Sequence, residues 1–257
     1  MNVNSHLTEI FAEPESPVLF IDFDGTVSQK DVIDRILEEF ADERWLEIEE
    51  QWISGKIGSR ECLQKQFALV KTTPAELDEF LATLKLDAGF LPLLRFCSQA
   101  KIDVHIISDG FDYYIRRMLE KVVSNRQMLN GIGIWANRLL PAGQNLWRAE
   151  FPYFEKICRD GCATCKPKVM KLNNPRGAAS IFVGDGLSDR FAARTADVVF
   201  AKKKLANFCA RENITFVRYE NLGEVAARLE RAFDAARELS TLPAEGIFDI
   251  FPLPAEA

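Results

Sequence analysis

Short apolar runs alternate with amphipathic segments through most of the chain. Val18 to Asp22 is apolar and ends in an acidic turn. Ile102 to Ser108 and Ala179 to Gly184 repeat the pattern, followed by Asp109-Gly110 and Asp185-Gly186. Such runs read as strands buried on both faces, as in a parallel sheet. Asp197 to Ala201 and Ile214 to Arg218 are shorter candidates. Helical periodicity separates them at Leu91 to Ala100, Asp112 to Val123, Pro167 to Leu172, Ser188 to Arg194 and Leu222 to Leu239. Strands alternating with helices predict an α/β fold, a Rossmann-like, mostly parallel sheet with helices on both faces.

One stretch breaks this rhythm. Between Asp31 and Leu86 the pattern is helical only, at Asp31 to Phe40, Glu43 to Ile53, Ser59 to Val70 and Pro74 to Leu84. Thr73-Pro74 with Glu76 is a helix start. The expected organisation is therefore an α/β core over 17–30 and 87–239, a helical insertion over 31–86, and terminal tails at 1–16 and 240–257. The apolar patch Ile247 to Phe251 is expected to pack on the protein's own surface.

Composition narrows the function. The 257 residues carry a net charge of -6, which argues against a general nucleic-acid binder. No run approaches the ~18 apolar residues of a membrane span, and the N-terminus has no basic region followed by an apolar one. A cytoplasmic protein, monomer or homodimer, without a nucleic-acid or membrane partner, is expected. Its six cysteines are then expected as reduced thiols. Cys158, Cys162 and Cys165 have spacing that leaves part of a zinc site open, without an evident fourth ligand. Of the two histidines, His6 is placed in a tail and His105 in a strand. Histidine-based catalysis is poorly supplied, whereas carboxylates are plentiful.

In an open α/β sheet, ligands bind at the carboxyl ends of the strands. Asp22 and Asp24 stand there after the first strand. One carboxylate can attack phosphorus while the other handles protons. Ser108 and the Gly110 N–H, after the second strand, are candidates to bind phosphoryl oxygens. Asp185 and Asp189 follow the third. Magnesium takes oxygen ligands, commonly one or two carboxylates with water and phosphate. A lysine near the transferring group offsets charge, and spacing alone leaves Lys166 and Lys168 both open.

Taken in order, DFDGT, SDG, Lys and GDGLSD resemble the signatures of the haloacid dehalogenase superfamily, from about Pro17 to Leu239. The resemblance implies Asp22 as nucleophile, Asp24 as acid/base, and a magnesium site of Asp22, Asp24, Asp185 and Asp189. An aspartate at the Asp24 position distinguishes phosphatases from dehalogenases. The helical insertion after DFDGT resembles the type 1 cap. Ser108 to Asp112, Ala136 to Leu139 and Gly184 to Gly186 resemble the phosphoserine phosphatase branch. In that comparison Cys165-Lys166-Pro167 selects Lys166, and Thr26, Asp31, Gln66 and Gly110 become substrate-binding candidates. Gln66 stands where that branch has an arginine for the substrate carboxylate, and an amide is a poor carboxylate clamp. Phe151-Pro152 and Gly161 to Pro167 are similar to the methionine-salvage phosphatases, which implies a 2-hydroxy-3-keto-5-methylthiopentenyl 1-phosphate substrate. The expected partner is thus a small phosphomonoester, and the expected cofactor Mg2+.

Overall fold

The computed structural model describes residues 3–158 and 160–241. Among these residues seven strands form one sheet: β1 (Val18–Ile21), β2 (Asp103–Phe111), β3 (Ile132–Gly143), β4 (Leu146–Glu150), β5 (Ser180–Gly184), β6 (Val198–Ala201) and β7 (Val217–Arg218). Their spatial order is β4-β3-β2-β1-β5-β6-β7. All neighbours are parallel except β3 and β4. β1 lies at the centre, so its carboxyl end meets those of β2 and β5.

Alternate β1 side chains supply the two cores. Leu19 and Ile21 join one apolar cluster, Val18 and Phe20 the other. Among the described residues, twelve α-helices accompany the sheet. α1 (Val3–Ala12) precedes β1. α2 (Val32–Phe40), α3 (Trp45–Ile53), α4 (Ser59–Phe67) and α5 (Pro74–Thr83) form the insertion. α6 (Phe90–Ala100), α7 (Asp112–Val122) and α8 (Arg126–Asn130) flank β2. α9 (Lys166–Leu172), α10 (Arg190–Ala193), α11 (Lys203–Arg211) and α12 (Leu222–Thr241) complete the chain. α6, α7 and α12 bury residues in the first cluster, α9, α10 and α11 in the second. Thr73 and Glu76 cap α5 reciprocally, as the sequence predicts.

Three elements go beyond the periodicity. Residues 3–12, placed in a tail, form α1, with Leu7 and Ile10 buried and Phe11 set edge-on to Phe96 and Phe233. α11 follows β6 directly. β3 and β4 make an antiparallel hairpin whose turn residues, Gln144 and Asn145, both have positive φ. Two glycines, a proline and Arg138 in β3 hide its strand pattern. His105 is a strand residue as expected, stacked on Phe20 and accepting from the Trp135 indole at 3.3 Å. The patch Ile247 to Phe251 lies outside the described residues. No helix among the described residues is long and apolar enough to cross a membrane.

Candidate active site

Beyond Ile21 the Asp22 N–H still bonds to Val183 of β5, at 2.9 Å. The chain then makes one loose turn, Phe23 to Val27, with Gly25 at φ 71. A side chain at Gly25 would be strained, and its Cβ would lie 2.5 Å from an Asp185 carboxylate oxygen. Glycine therefore lets the turn close over the end of β5.

Asp22, Asp185 and Asp189 converge there, each buried, with one carboxylate oxygen apiece lying within 4.8 Å of the others. Lys166 at the start of α9 is 1% exposed and spans two of them. Its ammonium donates to Asp22 Oδ1 at 2.7 Å and Asp189 Oδ1 at 2.5 Å. The Asp185 and Gly186 N–H groups donate to Asp189 Oδ2. Thr26 donates to Asp185 Oδ1 at 3.1 Å, and Lys203 to Oδ2 at 2.9 Å. Burial and then Asp189 hold the Asp22 carboxyl well above its usual range, with Lys166 opposing. Burial works against the Lys166 charge, but Asp189 and Asp22 outweigh it and raise its pKa.

This donor set suits a hard divalent cation. It offers oxygens only, at close range. Buried Lys166 bonds two of these crowded carboxylates and exposed Lys203 the third, so further positive charge would relieve their repulsion. Among the described residues no other group of three ligating side chains is gathered in this way. Cys158, Cys162 and Cys165 are free thiols and do not form such a cluster.

Asp24 is turned elsewhere. Its Oδ1 accepts from the Val32 N–H at 3.1 Å. Its Oδ2 accepts from Tyr114 at 2.7 Å and Ser108 at 3.1 Å. Burial lifts its carboxyl to about 6, against those hydrogen bonds. The Asp24 side chain therefore lies outside the acidic triad.

A cavity of about 340 Å³ opens between this edge and the insertion. Asp22, Asp24, Ser108, Asp109, Gly110 and Asp185 form its floor; Asp31, Asp34, Glu49, Trp52, Leu63 and Gln66 form much of its roof. Lys203 and Lys204 are its basic lining residues. Asp31 caps α2 by accepting from the Asp34 N–H, and burial, then Asp24, raise its pKa well up. Gln66 is buried, and its amide donates to Glu49 at 3.0 Å.

Of the residues expected from sequence, Asp22, Asp24, Asp31, Gln66, Ser108, Gly110 and Asp185 all line this cavity. Lys166 and Asp189 lie directly behind Asp22. Thr26 does not line it; fully buried, it holds Asp185 from behind. Lys168 is exposed and pairs with Glu155, so geometry separates it from Lys166.

Sequence reasoning missed the supporting residues. Asp109 joins core and insertion, accepting from Ser59 of α4 at 2.8 Å and from the Thr164 N–H at 3.0 Å. Thr164 also donates to the Ser108 carbonyl, and Asn137 to that of Asp109. Asp109 was visible as a turn residue only. The roles of Ser59, Tyr114 and Thr164 depend on contacts across 50 or more residues.

Comparison with known proteins agrees with this arrangement. The family model described as Putative Phosphatase matches residues 17–240. Two similar relatives bear the name 2-hydroxy-3-keto-5-methylthiopentenyl-1-phosphate phosphatase. One, from Geobacillus thermodenitrificans (strain NG80-2), is 26% identical over 83% of this chain and 96% of its own. The other, from Geobacillus kaustophilus (strain HTA426), is 29% identical with the same coverage. A substrate-bound phosphoserine phosphatase shares the fold with a TM-score of 0.64 at 20% identity, over 84% of this chain and 99% of that one. With its family model spanning the sheet and the acidic edge alike, the chain belongs to the putative phosphatase family and is a phosphatase on the haloacid dehalogenase fold.

Proposed function

We propose that the protein is a magnesium-dependent phosphomonoesterase for a small phosphorylated metabolite, acting through an aspartyl-phosphate on Asp22. The observation that carries this reading is the buried Lys166 bridge from Asp22 to Asp189, with Asp24 held separately at the same cavity.

Asp22 would attack phosphorus in line through a carboxylate oxygen, breaking the P–O bond to the leaving group. Asp24, raised to about 6, would give its proton to the departing oxygen and then take one from the water that hydrolyses the acyl phosphate. Ser108 and Gly110 line the cavity at this edge, the Ser108 hydroxyl donating to Asp24 and accepting from the Gly110 N–H, so neither donor is open to a phosphoryl oxygen here, and Lys166 holds Asp22 in place. Asp22, Asp185 and Asp189 would hold magnesium, with an Asp24 backbone carbonyl as a further ligand. When bound, the ion supplies positive charge beside the attacking carboxylate and the phosphoryl oxygens.

In this reading residues 31–86 are a cap over a core of 17–30 and 87–239. Its wall supports a neutral leaving group with an apolar end. Ile33, Trp52 and Leu63 offer apolar surface, and Gln66 is engaged by Glu49. No arginine lines the cavity among the described residues, which disfavours phosphoserine, whose carboxylate needs a clamp. The best supported substrate is therefore 2-hydroxy-3-keto-5-methylthiopentenyl 1-phosphate, the compound in the relatives' names.

The test is phosphate release from a panel of phosphomonoesters that includes this compound and phosphoserine, with EDTA and with magnesium restored. The expected result is magnesium-dependent turnover, fastest on the methylthio compound, and its abolition in Asp22→Asn without loss of fold. Full turnover in EDTA would remove the ion from the mechanism, and full activity in Asp22→Asn would remove the nucleophile.

A further inference from the structure

A buried hydroxyl beside Asp24 has no part in the steps proposed for that residue. Tyr114, in the first turn of α7, has no exposed surface. Its ring packs against Phe23 and Phe111, with centroids 5.9 and 6.4 Å away. Phenylalanine would meet that packing equally well. A buried hydroxyl needs a partner, and here the partner is the carboxylate of Asp24. The Tyr114 hydroxyl donates to Oδ2 at 2.7 Å, closer than the Ser108 hydroxyl at 3.1 Å.

Gly110 makes room for that contact. A Cβ at this position would lie 1.8 Å from the Tyr114 hydroxyl and 2.4 Å from Asp24 Oδ2. The turn after β1, the end of β2 and the start of α7 thus all meet at one carboxylate oxygen.

The lone pairs then decide which oxygen works. A carboxylate oxygen accepts about two hydrogen bonds. Oδ2 already accepts two, from Tyr114 and Ser108. Oδ1 accepts one, from the Val32 N–H, which leaves one position open.

We propose that Tyr114 is a positioning residue for phosphoryl transfer, which with Ser108 occupies Asp24 Oδ2 and leaves Oδ1 to carry the transferred proton. This rests on the reading of Asp24 as acid and base. In the first half-reaction the Oδ1–H bond breaks and its proton goes to the leaving-group oxygen as the P–O bond opens. In the second, Oδ1 takes a proton from the attacking water, and Asp24 returns to its starting state. Without the Tyr114 hydroxyl the carboxyl can rotate, and the proton no longer faces the leaving group.

The test uses leaving groups that need a proton to different degrees. An alkyl phosphate needs one, whereas p-nitrophenyl phosphate expels a stable anion. Because kcat/KM reports only the steps up to the aspartyl-phosphate, it isolates leaving-group departure. For Tyr114→Phe, kcat/KM should fall about 10- to 100-fold on the best alkyl phosphate of the panel, and less than about 3-fold on p-nitrophenyl phosphate. Equal losses on both, or no loss on either, would overturn the proposal. Asp24→Asn, measured in parallel, should show the same selectivity more strongly. If Asp24→Asn slows both substrates equally, the acid role of Asp24 fails. If it is selective and Tyr114→Phe is not, only the role of Tyr114 fails.

Discussion

The two walls of the cavity are built on different principles. The sheet edge interlocks its charges, all but Lys203 buried: Lys166 between Asp22 and Asp189, Asp189 on two N–H groups, Asp185 between Thr26 and Lys203. The insertion opposite is looser. α3 buries no residue, and Leu46 and Ile53 on it are more than half exposed. A side-chain link to the floor at the cavity is the Ser59 to Asp109 hydrogen bond. Chemistry that must be positioned closely gains from rigid elements. A wall that admits substrate and releases product draws on regions with few buried contacts.

The sharpest way to break this contrast is to remove the floor's central charge. Lys166→Met would leave Asp22 and Asp189 buried without their cation. Breaking a buried pair on one side costs about 3–5 kcal/mol, and turnover should fall at least about 100-fold. The stability loss, read by urea unfolding, should shrink from pH 7 to pH 5, since both carboxyls are already raised and take protons more readily without Lys166. A loss that is the same at both pH values would mean that lost packing, rather than charge, explains it.

This contrast also explains what could be read in the sequence. Asp22, Asp24, Ser108 and Asp185 follow strands whose apolar runs are unmistakable, so the sheet itself brings them to one edge. The four helices of the insertion were equally plain. α1 escaped notice because ten residues at a terminus, with polar groups between Leu7 and Ile10, look like a tail. β3 escaped because its outer half faces only one neighbouring hairpin strand and alternates with glycine, arginine and proline. The family resemblance put Thr26 on the substrate, but the turn aims its side chain at Asp185, and a side chain's direction in a tight turn is not periodic. Tyr114 and Ser59 are ordinary helix residues until the fold sets them beside Asp24 and Asp109.

A smaller perturbation tests the link between the walls. Ser59 donates to Asp109 and accepts from the Ala163 N–H at 2.9 Å. Ser59→Ala should cost about 1 kcal/mol of stability. KM should rise about 3- to 10-fold while kcat stays within about 2-fold, because no hydrogen bond of Asp22, Asp24 or Lys166 involves Ser59. Steady-state kinetics on the best substrate separate the two constants. A fall in kcat alone would place Ser59 in the chemistry and blur the division between the walls.

The smallest effect belongs to the roof's own charges. Asp34 faces the cavity, and burial, then Glu49 and Glu38, raise its carboxyl from 3.8 to about 6. Between about pH 4 and 6 the folded chain holds this proton more tightly than the unfolded one. Stability therefore falls as pH rises through that window, and the deficit persists above it. The full shift would correspond to about 3 kcal/mol, but a partly exposed group is screened, and about 1 kcal/mol is expected. Asp34→Asn removes the titration, so it should raise the urea midpoint at pH 7 and leave it unchanged at pH 4. Equal midpoints at pH 7 would mean that the roof carries its acids without strain. A gain there would show that both walls crowd carboxylates, and that only the floor has a buried lysine to offset them.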